Sequence, residues 1–371
     1  MERQESAYER ARLAFHVSRF TFHASRVADG ALLIVALVWG STFVMVKDAV
    51  TNYPVFSFLA LRFAFAALAL LPVVLLRRSG GRAEGARARS ERLFGVILSG
   101  SFPNAAQRST YSEESRPARH GDSSLEARRL ESWPAKPLRV TVVLAAPLLM
   151  GLALFAGYAL QTFGLRLTTP AKAGFITGLS VVIVPVVSTL ALRQRLSWGV
   201  WLGVGLATAG LALLSLQSNL SVSPGDLLVL GCALAFACQI LLTGRFAPRN
   251  DPLLLTFGQI VVVASLAGIA ALLLESPPEP TGTVLFAAVF TGVLATSLAF
   301  GIQTVAQRFT SPTRTALVFA TEPVFAAVFS FLLIGEVLGL CQLAGCALIL
   351  AGMVVAELMR NGRTGGETSD G

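Results

Sequence analysis

Charged residues are scarce in this 371-residue sequence, at 14% of the chain, whereas a soluble domain carries roughly 25%. Most of the chain therefore cannot face water. Histidine is rarer still, and His16, His23 and His120 all lie outside the long apolar runs. The commonest general base and metal ligand is thus missing from those runs. The sequence also has no GxxxxGK[ST] motif, so it carries no ATP-binding phosphate loop of this type.

Cysteine use predicts neither a disulfide framework nor a metal site. The chain has four cysteines, none of them in a CxxC or zinc-type spacing. We interpret them as small packing residues and expect neither a cofactor nor a bound metal. The four are Cys232, Cys238, Cys341 and Cys346.

Ten apolar runs are each about as long as the 20 or so residues needed to cross a bilayer. Within lipid each run must satisfy its backbone groups internally, so each is predicted to be a helix. The sequence therefore predicts an all-α integral membrane protein with ten transmembrane helices. The runs are approximately 31–50, 54–76, 140–163, 170–191, 198–216, 225–244, 252–274, 283–306, 312–334 and 339–358.

The most informative pattern is an internal repeat. Residues 161–210 match residues 303–352 without a gap, at a constant spacing of 142 (303 minus 161). Duplicated apolar domains are typical of membrane carriers. Corresponding residues in this stretch include Gln161 with Gln303, Thr168 with Thr310, Gly203 with Gly345 and Gly210 with Gly352.

Nearer the amino terminus the spacing between the copies is larger. Lys47 and Pro54 correspond to Arg245 and Pro252, at a spacing of 198 (245 minus 47). The first copy therefore holds 56 additional residues (198 minus 142), and the Arg-, Ser-, Gly- and Glu-rich segment 77–139 accounts for them. We predict that this segment is a disordered basic insertion.

These boundaries divide the chain into four parts. Residues 1–30 form an amino-terminal tail, 31–216 a first repeat, 225–358 a second repeat, and 359–371 a carboxyl-terminal tail. Five helices per repeat is an odd number, so the second repeat is expected to enter the membrane inverted relative to the first. Inverted repeats of this kind place a substrate site between the halves, near the midplane.

Lys and Arg total 30 against 21 Asp and Glu, and the cations lie between the apolar runs. There they orient a membrane protein, so we expect a lipid bilayer and no nucleic acid as partner. Counting cations at each side predicts that both termini are cytoplasmic, in the plasma or inner membrane. Gly199 and Gly203 form a GxxxG pattern, for which packing within the monomer and contact in a homodimer are the two interpretations.

Three segments carry recognisable motifs: Trp39-Gly40-Ser41-Thr42-Phe43, Leu61-Arg62-Phe63 with Pro72, and Thr321-Glu322-Pro323-Val324-Phe325-Ala326 followed by Gly335-Glu336, Gln342 and Gly345. In this order and spacing the sequence resembles the EamA branch of the drug/metabolite transporter superfamily. The resemblance covers about 31–76 and 140–358. It implies a ten-helix, two-repeat, basket-shaped carrier of small metabolites, often an exporter. The sequence departs from the family pattern at Arg193-Gln194-Arg195, where the second repeat has Gly335-Glu336.

Two charges lie inside apolar runs. Glu322 sits about halfway along its run, and its repeat counterpart is Ser180. An ionisable group there costs about 2.5–3.5 kcal/mol on insertion scales, so it either contacts substrate, couples protons or forms a structural ion pair. Arg62 lies some eight residues into the second run. It is expected to be a structural partner for Glu322 or for backbone carbonyls, or a contact for a substrate carboxylate.

Uncharged polar and aromatic side chains complete the candidate site. Buried amides either bridge helices, contributing roughly 0.6–2 kcal/mol, or line a cavity, and the aromatic residues either pack or stack on cargo. If they line a cavity, the cargo is an uncharged or zwitterionic amphipathic metabolite. The candidates, besides Glu322, are Trp39, Thr42, Tyr158, Gln161, Gln239, Phe300 and Gln303.

We therefore predict a secondary transporter, not an enzyme, that exports a small amino acid-like or drug-like molecule by alternating access. A channel or a scaffold is the alternative. An intramembrane enzyme ranks last, because the apolar runs hold no histidine and no second well-buried acid to pair with Glu322.

Overall fold

A computed structural model describes the chain over residues 2–51, 53–99, 137–168, 170–190, 193, 196–215, 223–276, 279–335 and 339–361. Residues 1–70 and 145–371 form one compact unit and residues 71–144 a second. The contacts described below lie within the first unit.

Over the described ranges every regular element is helical. A 3₁₀ turn, Ala247–Arg249, follows α7, and a π-helical segment, Val293–Leu298, joins α9 to α10. The helices are α1 (Glu2–Thr51), α2 (Val55–Ser99), α3 (Pro137–Leu167), α4 (Pro170–Gly178), α5 (Ser180–Leu190), α6 (Trp198–Ser215), α7 (Pro224–Phe246), α8 (Pro252–Leu274), α9 (Gly282–Gly292), α10 (Ala299–Ala306), α11 (Pro312–Phe319), α12 (Glu322–Ile334) and α13 (Leu340–Asn361).

Seven stretches in the described part of the chain are long and apolar enough to cross a membrane, which fits an all-α membrane protein. Two further predicted spans coincide with shorter apolar helices, Trp198–Leu213 and Leu340–Ala356. The remaining predicted span, 312–334, is divided between α11 and α12. The count of ten stays a prediction.

The structure differs from the sequence prediction at the insertion and at the amino-terminal tail. Helix α2 continues through residues 77–99, where a disordered segment was expected, and α1 already begins at Glu2. Alanine, arginine and glutamate, which are frequent in 82–93, are good helix formers and allow this extension. Residues 100–136 of the predicted insertion lie outside the described residues.

Local signals explain where several helices begin. The Ser223 side chain accepts from the Asp226 amide at 3.2 Å, while the Asp226 carboxylate accepts from the Ser223 amide at 2.8 Å. This is a capping box. Asp251 and Ser311 cap α8 and α11 in the same general way, each directly before a proline. Proline suits the first helical turn because the amide hydrogen it lacks would have no partner there.

The two copies share their helix interruptions. The first copy breaks between α4 and α5 at Leu179, and the second breaks between α11 and α12 at residues 320–321. Helices α5 and α12 begin at Ser180 and Glu322, which are repeat counterparts. Arg193 and Gly335, also 142 residues apart, both have positive φ, at 52° and 72°.

Helices α6 and α13 cross through glycines. A Cβ on Gly203 would lie 2.6 Å from the Gly352 carbonyl oxygen, and a Cβ on Gly352 would lie 2.6 Å from the Gly203 oxygen. One on Gly210 would lie 2.5 Å from the Gly345 oxygen. Gly203 thus meets the repeat counterpart of Gly210, and Gly210 meets the repeat counterpart of Gly203. This is the arrangement of an antiparallel helix pair related by a two-fold axis. The glycine pattern serves packing within the monomer, and a homodimer stays a prediction.

Candidate functional site

The site is built around the break between α11 and α12, because Glu322 is the first residue of α12. A carboxylate is favoured at a helix amino terminus, where the backbone amides give the helix dipole its positive end. The Glu322 side chain is half-buried and makes no hydrogen bond to another described residue. Helix α1 passes close by, since a Cβ on Gly40 would lie 2.9 Å from the Glu322 carbonyl oxygen.

Arg62 lies on α2 and is only 4% exposed. Its Nε donates to the Thr296 hydroxyl at 2.9 Å and its Nη2 donates to the Tyr158 hydroxyl at 3.2 Å. The guanidinium also lies over the Tyr158 ring, 4.7 Å from its centroid, in a cation–π contact. The third nitrogen, Nη1, makes no hydrogen bond within the part of the chain that the structure describes. Neutral groups therefore hold Arg62 in place, and the N–H groups of Nη1 are not used in a hydrogen bond to the described residues.

The π-helical segment Val293–Leu298 provides the partners for this arginine and for α1. The Thr296 hydroxyl donates to the Thr291 carbonyl five residues back, at 3.0 Å. The Trp39 indole donates to the Ala295 carbonyl at 2.7 Å, and the Ser297 hydroxyl donates to the Ala66 carbonyl at 2.7 Å. Such π segments are rare in proteins, and those that occur are often found at functional sites. This one joins α1 and α2 of the first copy to the second copy.

Aromatic rings surround the polar groups. Tyr158 makes edge contacts with Phe63 at 5.2 Å and with Phe236 at 5.3 Å between centroids. Phe300 lies 6.3 Å from Tyr158 and 5.3 Å from Trp39. Four of the sequence candidates, Trp39, Arg62, Tyr158 and Phe300, are therefore brought into one cluster.

Arg62 and Glu322 both lie near α1, since the Trp39 indole bonds to the segment that holds Thr296 and Gly40 contacts the Glu322 carbonyl. They do not form an ion pair, since no described carboxylate oxygen lies within 4 Å of the Arg62 nitrogens. The direct Arg62–Glu322 pair that was one structural interpretation is thus not formed by these two described side chains, and Thr296 and Tyr158 take its place. Arg62 and Glu322 are therefore two ionisable side chains of one region that form no ion pair with each other.

A second cluster consists of buried amides on α7, α8 and α10 and at the residue directly after α10. Gln239 Nε2 donates to Gln259 Oε1, and Gln303 Nε2 donates to both Gln239 Oε1 and Gln307 Oε1, each at 3.1 Å. Gln307 Nε2 in turn donates to the Ile240 carbonyl at 3.0 Å. All four glutamines are nearly or fully buried. This network bridges helices, which was one of the two interpretations of the polar candidates, and cavity lining by Gln239 and Gln303 stays a prediction.

The remaining candidates lie apart from both networks. Thr42 is buried and its hydroxyl donates to the Trp39 carbonyl of its own helix at 2.8 Å. Gln161, the counterpart of Gln303, is half-buried and makes no hydrogen bond to the described residues. The described residues also contain no group of three or more His, Cys, Asp or Glu that could hold a metal ion.

Sequence reasoning did not identify Thr296, Gln259 or Gln307 as part of either cluster. Thr296 and Ser297 are adjacent polar residues in an otherwise apolar run, which is the signal that could have found them. Gln303 and Gln307 are four residues apart, so they share one helix face. That spacing could have indicated a polar stripe on α10.

Several helices long and apolar enough to cross a bilayer fit a multi-pass membrane protein, and comparisons with known proteins identify it as a transport protein. The EamA-like transporter family matches residues 27–111, 127–216 and 223–357. The chain belongs to this family. An uncharacterized transporter of Archaeoglobus fulgidus is 28% identical over 331 residues, covering 89% of this chain and 86% of that protein.

Two other proteins are similar. The uncharacterized transporter YyaM of Bacillus subtilis is 26% identical over 218 residues, covering 55% of this chain and 70% of that protein. A protein of known crystal structure matches with a TM-score of 0.64 and 19% identity, covering 90% of this chain and 99% of that chain. At this identity the match shows the fold alone.

Proposed function

We propose that this protein is a secondary transporter that exports a small amphipathic metabolite, amino acid-like or drug-like, by alternating access. Two inverted five-helix repeats form ten spans in the cytoplasmic membrane, with both termini inside. Family membership and the matching helix breaks of the two copies support this architecture. Carriers commonly bind substrate at such interrupted helices.

One observation carries the proposal. Arg62 and Glu322 are ionisable side chains within apolar helices, yet they form no ion pair with each other. A membrane-embedded charge is costly, so an arrangement that leaves charges available favours function over structure. The aromatic cluster of Trp39, Tyr158 and Phe300 beside them suits an apolar portion of the cargo. A zwitterion would place its carboxylate at Arg62 and its ammonium group at Glu322.

The test is uptake into liposomes that contain the purified protein, with an imposed pH gradient and a mixed panel of labelled metabolites. We expect wild type to accumulate at least one amphipathic metabolite. Glu322→Gln should abolish the response to the gradient, and Arg62→Gln should reduce transport of carboxylate-bearing cargo. Glu279→Gln is the matched control, because Glu279 is an exposed acid outside this site.

Failure of wild type to accumulate any compound across a wide panel contradicts the proposal, as does Glu322→Gln transport that follows the gradient like wild type. A channel is distinguished by its kinetics. A carrier saturates and shows counterflow, in which unlabelled cargo on one side accelerates exit of label from the other. Flux that rises linearly with concentration and lacks counterflow favours the channel.

A further inference from the structure

A largely buried ion pair joins α1 of the first copy to α11 of the second. One Asp29 carboxylate oxygen pairs with Arg314 Nη2, and the other accepts from the Thr310 hydroxyl at 3.3 Å. Arg314 Nη1 also donates to the Ser25 hydroxyl at 3.0 Å. Both charged side chains are only 15% exposed, so water and salt screen this contact less than they screen a surface pair.

A related contact joins the two copies, but here the threonine belongs to the first copy and the carboxylate to the second. The Thr168 hydroxyl, just after α3 of the first copy, donates to an Asp226 carboxylate oxygen in the first turn of α7 of the second copy. The other Asp226 oxygen accepts from the Ser223 amide at 2.8 Å. Asp226 is thus held by its own helix and by the other copy at once.

The two contacts use threonines at corresponding positions and carboxylates at nearly corresponding ones. Thr168 and Thr310 are repeat counterparts at the spacing of 142, and Asp226 corresponds to residue 28 (226 minus 198), one residue from Asp29. Each contact therefore links the residues between the third and fourth predicted spans of one copy to the first helix of the other copy. In both contacts the acceptor is a carboxylate, and hydrogen bonds to an ionised group are stronger than neutral ones.

The two contacts lie at opposite ends of the bundle. The carboxyl end of α7 reaches the start of α11, since a Cβ on Gly244 would lie 2.5 Å from Pro312, two residues before Arg314. Asp226 lies 18 residues earlier on α7 (244 minus 226). At 1.5 Å per residue this is about 27 Å, close to the roughly 30 Å thickness of the hydrocarbon core.

We propose that these contacts are the two gates of the carrier. The Asp29–Arg314–Thr310 contact closes one face, the Thr168–Asp226 contact closes the other, and both are formed in this structure. Transport then requires one gate to open while the other stays closed. The inference rests on the proposed carrier function, and it adds residues outside the substrate site to the transport cycle.

The gates are tested by thiol labelling of full-length protein in lipid nanodiscs, with the four native cysteines changed to alanine. Ala316→Cys reports on the Asp29 end, because Ala316 is fully buried in the cluster that contains Ala28 and Leu32 of α1. Ala173→Cys reports on the Asp226 end, where Ala173 is fully buried beside Leu165 and Val229. The labelling rate with a water-soluble maleimide is measured for each reporter.

We expect Asp29→Asn and Arg314→Gln each to raise labelling at Ala316→Cys about tenfold, the population shift that follows from losing one charged hydrogen bond, with no rise at Ala173→Cys. Asp226→Asn should do the reverse. The charge-reversed double variant, Asp29→Arg with Arg314→Asp, should bring the rate back toward its starting value. Thr310→Val removes one hydroxyl only and supplies a milder variant if the charge variants fold poorly.

Three results overturn the proposal: unchanged rates at both reporters, a rise at both reporters in every single variant, or a folded charge-reversed variant that stays as open as Asp29→Asn. Because labelling needs no cargo, it separates this inference from the proposed function. Normal gate responses without flux in liposomes would reject the carrier proposal and leave the two-gate geometry standing. Normal flux without gate responses would support the carrier proposal and reject the two gates.

Discussion

Where the first copy carries Arg62 and Tyr158, the second copy carries Ile260 and Phe300 at the corresponding positions. The first pair places a guanidinium against a phenol hydroxyl, whereas Ile260 and Phe300 are both buried in an apolar cluster. The cation of the site therefore comes from one copy alone. Glu322, the acidic group of the site, comes from the second copy, and its counterpart in the first copy is Ser180.

The side-chain amides differ in the opposite direction, because here the second copy has the polar residues and the first has apolar ones. Gln259 and Gln307 of the second copy correspond to Leu61 and Leu165 of the first. Hence Gln303 is held by a hydrogen-bond network, while its counterpart Gln161 has no such partners among the described residues. The second copy uses its amides to join its own helices, whereas the first copy bonds Trp39 and Arg62 to the π-helical segment of the second. The copies share their helix breaks, but they differ in which polar side chains hold the helices together.

The shared backbone is tested most strongly at the crossing of α6 and α13. Gly203→Ala should lower the free energy of unfolding by about 3 kcal/mol, because its Cβ would meet a backbone oxygen that cannot move aside. Gly352→Ala should cost a similar amount, since its Cβ would meet Gly203 in the same way. The measurement is the unfolding midpoint in mixed detergent micelles.

Gly205→Ala is the control on the same helix, because nothing lies within 4 Å of a Cβ there. Its unfolding midpoint should match that of wild type or exceed it slightly, since alanine favours helix over glycine. Equal losses for Gly203→Ala and Gly205→Ala would show that the crossing does not depend on these glycine contacts.

The difference in amide use predicts unequal costs at two corresponding glutamines. Gln303→Leu should destabilise the protein by about 2 kcal/mol, because Gln239 and Gln307 each lose a buried donor. Gln161→Leu should change stability by less than about 0.5 kcal/mol, since no hydrogen bond to a described residue is lost there. Chemical denaturation of both variants checks this, and equal costs would remove the contrast between the copies.

Tyr158→Phe tests whether the first copy positions its arginine for cargo. Loss of the hydroxyl that accepts from Arg62 removes about 1 kcal/mol of interaction, so initial transport rates should fall about fivefold at unchanged folded yield. In the double variant with Arg62→Gln, Tyr158→Phe should add no further loss, because the two act as one unit. Independent, additive losses would separate Tyr158 from Arg62.

The smallest expected effect lies at the turns after α5 and α12. Arg193 adopts the positive φ that Gly335 adopts in the second copy, and a side chain in that region costs roughly 1–2 kcal/mol. Arg193→Gly should therefore raise the free energy of unfolding by about 1 kcal/mol, and Gly335→Ala should lower it by a similar amount. Thermal unfolding of both variants checks the direction of each change. A lower unfolding temperature for Arg193→Gly would contradict the shared backbone conformation at Arg193 and Gly335.

The sequence predicted the class of fold well because lipid leaves few choices to an apolar run. The lengths of the apolar runs and the prolines at Pro252 and Pro312 are local signals, and the repeat can be read by matching residues at a constant spacing. It did not predict the break at Leu179 or the π segment, which depend on contacts between helices. The polar candidates were found as residues, but their partners could not be assigned, because Arg62 bonds across 234 positions to Thr296.

The glycine crossing of α6 and α13 has a consequence for how such a chain arose. Its contact is self-complementary, since each helix presents two glycines seven residues apart to the other. A shorter ancestral chain with a single five-helix unit would already carry a complete docking face for a second copy of itself. Fusion of two such genes would then have tethered an existing partnership, and only afterwards would the arginine of one half and the glutamate of the other have become free to diverge.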